Sequence, residues 1–387
     1  MEKKSNVLYY KLNMVKPHIC KLNNTEYQIL KKNPHCIQYF CEVDRIQKSK
    51  WPFNKLFLRR SKHTNYYYYK PKHKDIIKKE NLPDISFTEF KRKQIFKTTD
   101  NIKINSKISY QPRAQRPSTT THLGQLKLSL STIQFLLYYA PKDEEVHIIY
   151  PGSAHGYNIQ FLTTLFPQCK WHLIDPGNFY KKLYKNPNII DIQNSLFTDK
   201  LVEAKRKELK GKYTLLISDI RLNPNDDNVD RDNELQESWV KNFKPHYAQL
   251  KWRVPRHKGN KYKYFDGVNY LQMYAPPAST ETRLVVKADK KIKTKFWNYK
   301  EEDNKMYYFN RILRPSYYKT NIKHKCIDHC HDCVAMINLL KEYKEKYPEN
   351  KFSKQSLTKM IEQLFKEIQH VKQRICFDFK KILKNLK

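Results

Sequence analysis

From residue 124 onward the apolar positions fall into alternating patterns. The stretch "GQLKLSLSTIQFLLYYA" spaces them along one helical face, "VHIIY" is a short unbroken apolar run of the buried-strand kind, and "YNIQFLTTLF" returns to helical spacing. "KWHLID" and "YTLLISDI" read as two more apolar strands, each with an aspartate at its end, and "AQLKWRV" and "TRLVVKA" read as strands as well. Strands alternating with helices predict a doubly wound α/β domain, with a largely parallel central sheet flanked by helices. In the tail, apolar residues at 357, 360, 361, 364, 368, 371 and 375 form one stripe, which predicts a long amphipathic helix packed on the domain.

Upstream of residue 105 no such periodicity holds. Residues 1–104 are polar and basic, and the stretch "LRRSKHTNYYYYKPKHKDIIKKE" interleaves aromatic and cationic side chains, a surface suited to a phosphate backbone and stacked bases, or merely a solvated one. "NSKISYQPRAQRPSTTTH" carries two prolines and reads as a linker. The expected organisation is therefore a basic Tyr/Lys-rich extension over 1–104, an α/β domain over 105–345, and a C-terminal amphipathic helix over 346–387.

Composition sharpens the choice of partner. The 75 Lys+Arg outnumber the 38 Asp+Glu to give +37, and 28 tyrosines and 19 phenylalanines accompany them. An AT-rich coding bias enriches the same residues, but a polyanion, most simply nucleic acid, is the expected partner. No apolar run reaches the roughly 18–20 residues that span a bilayer, and the amino terminus lacks an apolar leader, so an intracellular chain without a membrane partner is expected. The eight cysteines read as reduced thiols.

The chemistry centres on "YPGSAHGYN", a turn between a strand and its helix, where the ligand crevice of an open α/β sheet lies. Gly152 and Gly156 are read as letting the backbone approach a ligand. Asp175 follows about 20 residues later, where an acid accepts from ribose hydroxyls, and Asp219 marks a third position at the same crevice. No Walker-type phosphate loop is present, which disfavours an ATPase. In "KHKCIDHCHDC", Cys326, Cys330 and Cys333 with His324, His329 and His331 could supply four zinc ligands, but their spacing matches no common finger. The start of a helix is preferred there, with no metal assigned.

Seven blocks, "GQLKLSL", "YPGSAHG", "LIDPG", "LLISDIR", "LKWRVP", "APPASTETRL" and "NKMYYFNRI", occur in an order that resembles the poxvirus-type cap-specific mRNA (nucleoside-2'-O-)-methyltransferases, which also serve as processivity subunits of poly(A) polymerase. The resemblance covers roughly residues 105–345, and the unmatched first hundred residues point to another large DNA virus as the source. It implies a Rossmann-like fold, S-adenosylmethionine as cofactor, capped mRNA as substrate, a poly(A) polymerase catalytic subunit as a further partner, and a cytoplasmic location in viral factories or packaging in the virion. The family's catalytic Lys-Asp-Lys-Glu set falls on Lys127, Asp219, Lys251 and Glu281. By the same resemblance Gln125, Tyr150, Gly152, Ser153 and Gly156 line the methionine side, Asp175 takes the ribose, and Phe197, Ile220 and Arg221 lie near the adenosine. Two departures fall here: Gly177 stands where the family has arginine, and His155 where it has proline.

These residue types suit attack by a ribose 2'-hydroxyl, a poor nucleophile that needs a base within hydrogen-bond reach. Lys251 is assigned as that base, Lys127 as the neighbouring cation that helps lower its pKa, and the two carboxylates as orienting groups. For the cap, Tyr110 matches one of the two rings that sandwich 7-methylguanine and Asp303 one carboxylate. The second ring position holds Arg256 and the acid two residues on is Lys258, so Tyr262 or Tyr264 would have to substitute. The rival reading is a non-catalytic RNA-binding subunit of a poly(A) polymerase.

Overall fold

The computed structural model describes residues 94–103, 124–220, 225–276, 279–289, 291–314, 317–318, 320–322, 324, 327 and 330–367, together with short strand segments at 58–60, 67–69 and 91–92. The predicted linker, Tyr110, Arg221, Cys326, His329 and the tail beyond residue 367 lie outside these residues.

Nine strands are used below: β1 (Val146–Pro151), β2 (Cys169–Ile174), β3 (Ile189–Gln193), β4 (Tyr213–Ile217), β5 (Tyr247–Trp252), β6 (Tyr262–Phe265), β7 (Val268–Tyr270), β8 (Thr282–Lys287) and β9 (Thr294–Trp297). The helices are α1 (Gly124–Tyr139), α2 (Ile159–Leu165), α3 (Asp199–Glu208), α4 (Asp226–Phe243), α5 (Tyr299–Tyr308), α6 (His331–Lys346) and α7 (Leu357–Glu367). Seven strands form one sheet in the order β7-β8-β5-β4-β1-β2-β3, while β6 and β9 make a separate antiparallel ribbon. The five strands from β3 to β5 are mutually parallel, and β8 enters antiparallel between β5 and β7. The fold is thus a Rossmann-like α/β sheet flanked by helices.

The apolar runs form these strands because both sheet faces are covered. All six residues of β1 are buried. One core packs Leu126, Leu130, Leu162, Leu215, Ile337, Leu340 and Ile361 on one side, and a second packs Ile149, Leu216, Trp239, Leu250 and Trp252 on the other. Caps set the helix starts on the second face: Thr198 accepts from the Leu201 amide ahead of α3, and Asn225 from the Asn228 amide ahead of α4.

Two boundaries differ from the sequence reading. Residues 94–103, assigned to the extension, pack on the domain: Lys97 Nζ lies 2.7 Å from Glu342 Oε1, the Leu271 amide donates to the Lys97 carbonyl at 3.0 Å, and Thr98 bridges Tyr270 at the sheet edge. At the other end the chain does not run as one helix from 346. α6 ends at Lys346, non-helical residues including Pro348 follow, and α7 begins at Leu357. No helix among the described residues is long and apolar enough to cross a membrane.

Candidate active site at the carboxyl edge of the sheet

The strand order reverses between β1 and β4: the chain leaves β1 toward β2 and β3, then returns to β4 on β1's other side. The carboxyl ends of these two strands are therefore where a crevice opens. Three strand exits are stitched together there. The Gly152 amide donates to the Ile174 carbonyl at 2.9 Å, Ser153 Oγ accepts from the Ile174 amide at 3.2 Å, and the Asp219 amide donates to the Pro151 carbonyl at 3.1 Å.

This stitching changes the account of the glycines. Gly152 has φ +81°, and a Cβ there would lie 2.7 Å from the Asp219 carbonyl carbon; at Gly156, φ +71°, it would meet a Leu183 methyl at 2.8 Å. Neighbouring chain fills the space that the missing side chains leave: the close approach of two strand exits dictates glycine at 152, and the packing of Leu183 and Ile159 against the turn dictates it at 156. Asp175, beyond β2, accepts from the Gly177 amide at 2.7 Å through one oxygen and from the Ala154 amide at 3.2 Å through the other. The acid holds the turn, and each oxygen keeps a further lone pair.

The Lys-Asp-Lys-Glu positions come from four separate elements. The last turn of α1 lies at the amino ends of β4 and β5, where the Tyr213 hydroxyl donates to the Tyr139 carbonyl and Tyr139 packs on Tyr247, so its first turn, with Gln125 and Lys127, lies at the sheet's carboxyl edge. Asp219 follows β4, Lys251 is the penultimate residue of β5, and Glu281 immediately precedes β8, whose antiparallel course starts at that edge. Lys127 Nζ lies 3.2 Å from Glu281 Oε1, and Lys251 Nζ lies 3.1 Å from Asp219 Oδ1. Two residues absent from the sequence reading join them. Arg283, opposite Lys251 in the ladder and almost wholly buried, donates to Asp219 Oδ1 at 2.7 Å and to the Ser218 carbonyl at 3.3 Å. Gln236 of α4 donates to the Lys251 carbonyl and accepts from the Lys251 amide, each at 3.0 Å. β4 pairs with β5 only as far as Gln249, so the Gln236 amide completes the ladder where β4 has stopped.

The electrostatics follow from this crowding. Burial would raise the Asp219 carboxyl, but Lys251, Arg283 and Lys127 together outweigh it and hold the group at about 2. Burial lowers the Lys127 amine from its ordinary value; Arg283 and Lys251 act in the same direction, while Glu281 and Asp219 oppose it. Burial also raises the Tyr150 phenol, with Asp219 adding to the shift.

The segment that carries Glu281 is tied down from outside the sheet. α5 runs into a π-helical turn, Phe309–Leu313, after which Arg314 donates to the Ala275 carbonyl at 2.7 Å and to Asp332 Oδ2 at 2.7 Å; Asn310 donates to the Ser279 carbonyl at 2.8 Å. Of the Cys/His cluster, His331 is buried with Nε2 at the Phe96 backbone, and Cys333 is buried beside the Tyr274 hydroxyl. The helix start expected there is α6, beginning at His331.

A model of the poly A polymerase regulatory subunit family matches residues 91–370. The chain belongs to that family. No curated protein sequence matches it. Among solved structures, the chain is similar to bluetongue virus VP4, described as a multifunctional RNA-capping production line, at 16% identity and a TM-score of 0.38 over 60% of this chain and 39% of that one. The chain thus spans about two fifths of VP4's length, and so low a score carries no argument about the site.

Among the residues expected in this poly A polymerase regulatory subunit family, Phe197 and Ile220 come together at the edge of the second core, Phe197 packing edge-on against Trp239 at 5.0 Å. The cap residues stand differently. Asp303 is buried in α5, and one of its oxygens accepts from Arg256 Nε at 2.6 Å; Lys258 is paired with Asp230 at 2.7 Å. Tyr264 is fully buried, stacks on Trp252 at 4.5 Å and donates to the Asn233 carbonyl, so it is not free to substitute for the second ring. Tyr262 belongs to the same stack, 5.9 Å from Tyr264.

Proposed function

We propose that this chain is an S-adenosylmethionine-dependent 2'-O-methyltransferase acting on the first transcribed nucleotide of capped mRNA. As a poly A polymerase regulatory subunit it would also work beside a polymerase catalytic subunit. The observation that carries the reading is the convergence of Lys127, Asp219, Lys251 and Glu281 from four elements on one edge of the sheet, beside a turn of nucleotide-binding type. A protein that only bound RNA would gain nothing from burying two lysines against two acids there.

The crevice suits the cofactor. Asp175 keeps acceptor capacity for ribose hydroxyls, Phe197 and Ile220 offer an apolar wall for the adenine, and Asn158 Nδ2 beside the Gly156 turn is buried with no hydrogen-bond partner among the described residues. Gln125, Tyr150, Gly152, Ser153 and Gly156 would border the methionine end, with Arg221 near the adenosine. When bound, the cofactor supplies an electrophilic methyl group on a sulfonium. The chain's part is to align the hydroxyl and remove its proton: Asp219 fixes the Lys251 amine, Gln236 fixes its backbone, and Lys251 Nζ accepts the proton from the 2'-oxygen as the oxygen attacks.

The lowered Lys127 amine favours a second assignment, in which Lys127 takes the proton and Lys251 positions the oxygen. Methyl transfer from labelled S-adenosylmethionine to a short capped RNA, measured with Lys251→Met and Lys127→Met, tests both. Loss of activity in Lys251→Met with unchanged cofactor binding, while Lys127→Met keeps more than about a tenth, selects Lys251. Activity of Lys251→Met within about tenfold of wild type removes Lys251 as the base.

A further inference from the structure

The β6–β9 ribbon leaves the β5 end of the site and returns to α5, so its near end lies beside the Arg256–Asp303 pair. Its two faces differ. Inward, Trp297 packs on Trp252 at 5.1 Å and Tyr264 stacks on the same indole; Trp297 Nε1 donates to the Phe265 carbonyl at 3.0 Å. Because side chains alternate along a strand, the buried Trp297 obliges its neighbour Phe296 to face out, and Phe296 is 66% exposed. Directly opposite it in the ladder is exposed Lys263.

A single exposed phenylalanine needs no explanation. Its surroundings differ from an ordinary surface. Lys261, Lys263, Lys291 and Lys293 are exposed on or next to the ribbon, and none of them is ion-paired among the described residues. Lys295 lies 4.0 Å over the Trp297 ring, and its carboxylate partner is Asp266 at 3.1 Å. A ribbon that shows a flat ring among exposed cations complements a single-stranded polyanion with π-faces.

We propose that the β6–β9 ribbon is a binding surface for single-stranded RNA, with one base stacked on Phe296 and the flanking phosphates held by Lys261, Lys263, Lys291 and Lys293. The RNA tract is the part downstream of the reacting nucleotide. The inference rests on the RNA-substrate reading above, but cap recognition and methyl transfer are not needed to observe it. Stacking on one ring is sequence-tolerant, as suits a subunit that handles many transcripts.

The test uses the full chain and an uncapped RNA of about 16 nucleotides carrying 5-iodouridine. Photocrosslinking with peptide mapping should place a crosslink at Phe296, and the crosslink should vanish in Phe296→Ala and persist in Phe296→Trp. In fluorescence anisotropy at raised salt, where weak ionic contacts are screened, Phe296→Ala should bind roughly tenfold or more weakly. Combined Lys263→Gln and Lys293→Gln should reduce the slope of log affinity against log salt by about 0.7 per lysine. Crosslinks mapping elsewhere, or equal affinity and slope in the variants, overturns the proposal. So does a matching loss of affinity for polyglutamate in Phe296→Ala, since the ribbon would then be a docking face for an acidic protein. Methyl transfer to a capped dinucleotide, too short to reach the ribbon, should be unchanged in these variants; its absence in wild type would count against the enzymatic reading alone.

Discussion

Replacing Gln236 with leucine removes a residue that touches neither hydroxyl nor methyl group, yet its effect should be large. The carboxamide is fully buried and makes two hydrogen bonds of 3.0 Å to the backbone of Lys251. Leucine cannot replace either, and β4 has already ended, so the half-buried Lys251 N–H and C=O are left without these partners. Each orphaned group costs about 1–3 kcal/mol, so the variant should lose about 2–6 kcal/mol of stability. That corresponds to a fall of at least about 4 °C in melting temperature for a domain of this size. Activity should fall further than stability, because in the proposed reaction Lys251 Nζ must be aligned with the 2'-oxygen and a misplacement of about 1 Å costs about a hundredfold. Gln236→Glu, which can still accept from the amide but repels the carbonyl, should fall between wild type and Gln236→Leu. Thermal unfolding and single-turnover methyl transfer, run well below the variant's melting temperature, provide both readings. A melting shift under about 2 °C with unchanged methyl transfer would refute the idea that Gln236 stands in for the missing strand.

Arg283→Met should destabilise by about 3–5 kcal/mol, read by urea unfolding, because Asp219 loses a buried partner at 2.7 Å. Asp219 sits at about 2 against an ordinary 3.8, so its charged form contributes about 2 kcal/mol of stability that is present above the unfolded value and lost as pH falls through about 2. Arg283→Met raises that carboxyl, so the stability difference between wild type and variant should narrow below about pH 4; a constant difference would show that Arg283 does not act through Asp219. Asp175→Ala should weaken S-adenosylmethionine binding roughly tenfold by calorimetry, and unchanged affinity would leave Asp175 only its role in the turn. Arg256→Phe frees Asp303 and supplies a ring, so 7-methylguanosine triphosphate should then compete at least about fivefold better than guanosine triphosphate. Equal competition by both nucleotides would mean that this position does not border a cap pocket.

The parallel strands were legible because burial on both faces writes them as continuous apolar runs. β3 escaped notice for the opposite reason: at the sheet edge its Ile190 is half exposed, and "IIDIQ" mixes a charge into the run. The β6–β9 ribbon carries lysines at alternate positions that read as solvated loop. At the site, the four charged positions followed from the family resemblance that their sequence blocks carry, whereas Arg283 and Gln236 did not. A lone arginine inside "TRLVVK" was the available signal for Arg283, since an unpaired charge in a buried strand is too costly to go without a partner. Gln236 depends on where β4 ends relative to β5, which is a matter of register rather than composition. For the glycines, positive φ and close approach are visible as residue type, but the neighbouring chain that requires them is not.

The buried charges also bear on why lysine would serve as a base here. Lys127, Lys251 and Arg283 face Asp219 and Glu281, three cations against two anions within one set of contacts. Arginine does not give up its proton, and Asp219 at about 2 does not take one near neutral pH, so the surplus positive charge can be relieved only at a lysine. Burial acts in the same direction, because it penalises the charged amine, and it lowers Lys127 even though Glu281 opposes the shift. Removing Arg283 takes away one of the cations that lower Lys127, so that amine should be held more firmly in its protonated form. A fifth charge outside the proposed catalytic set thus helps set the acidity of Lys127.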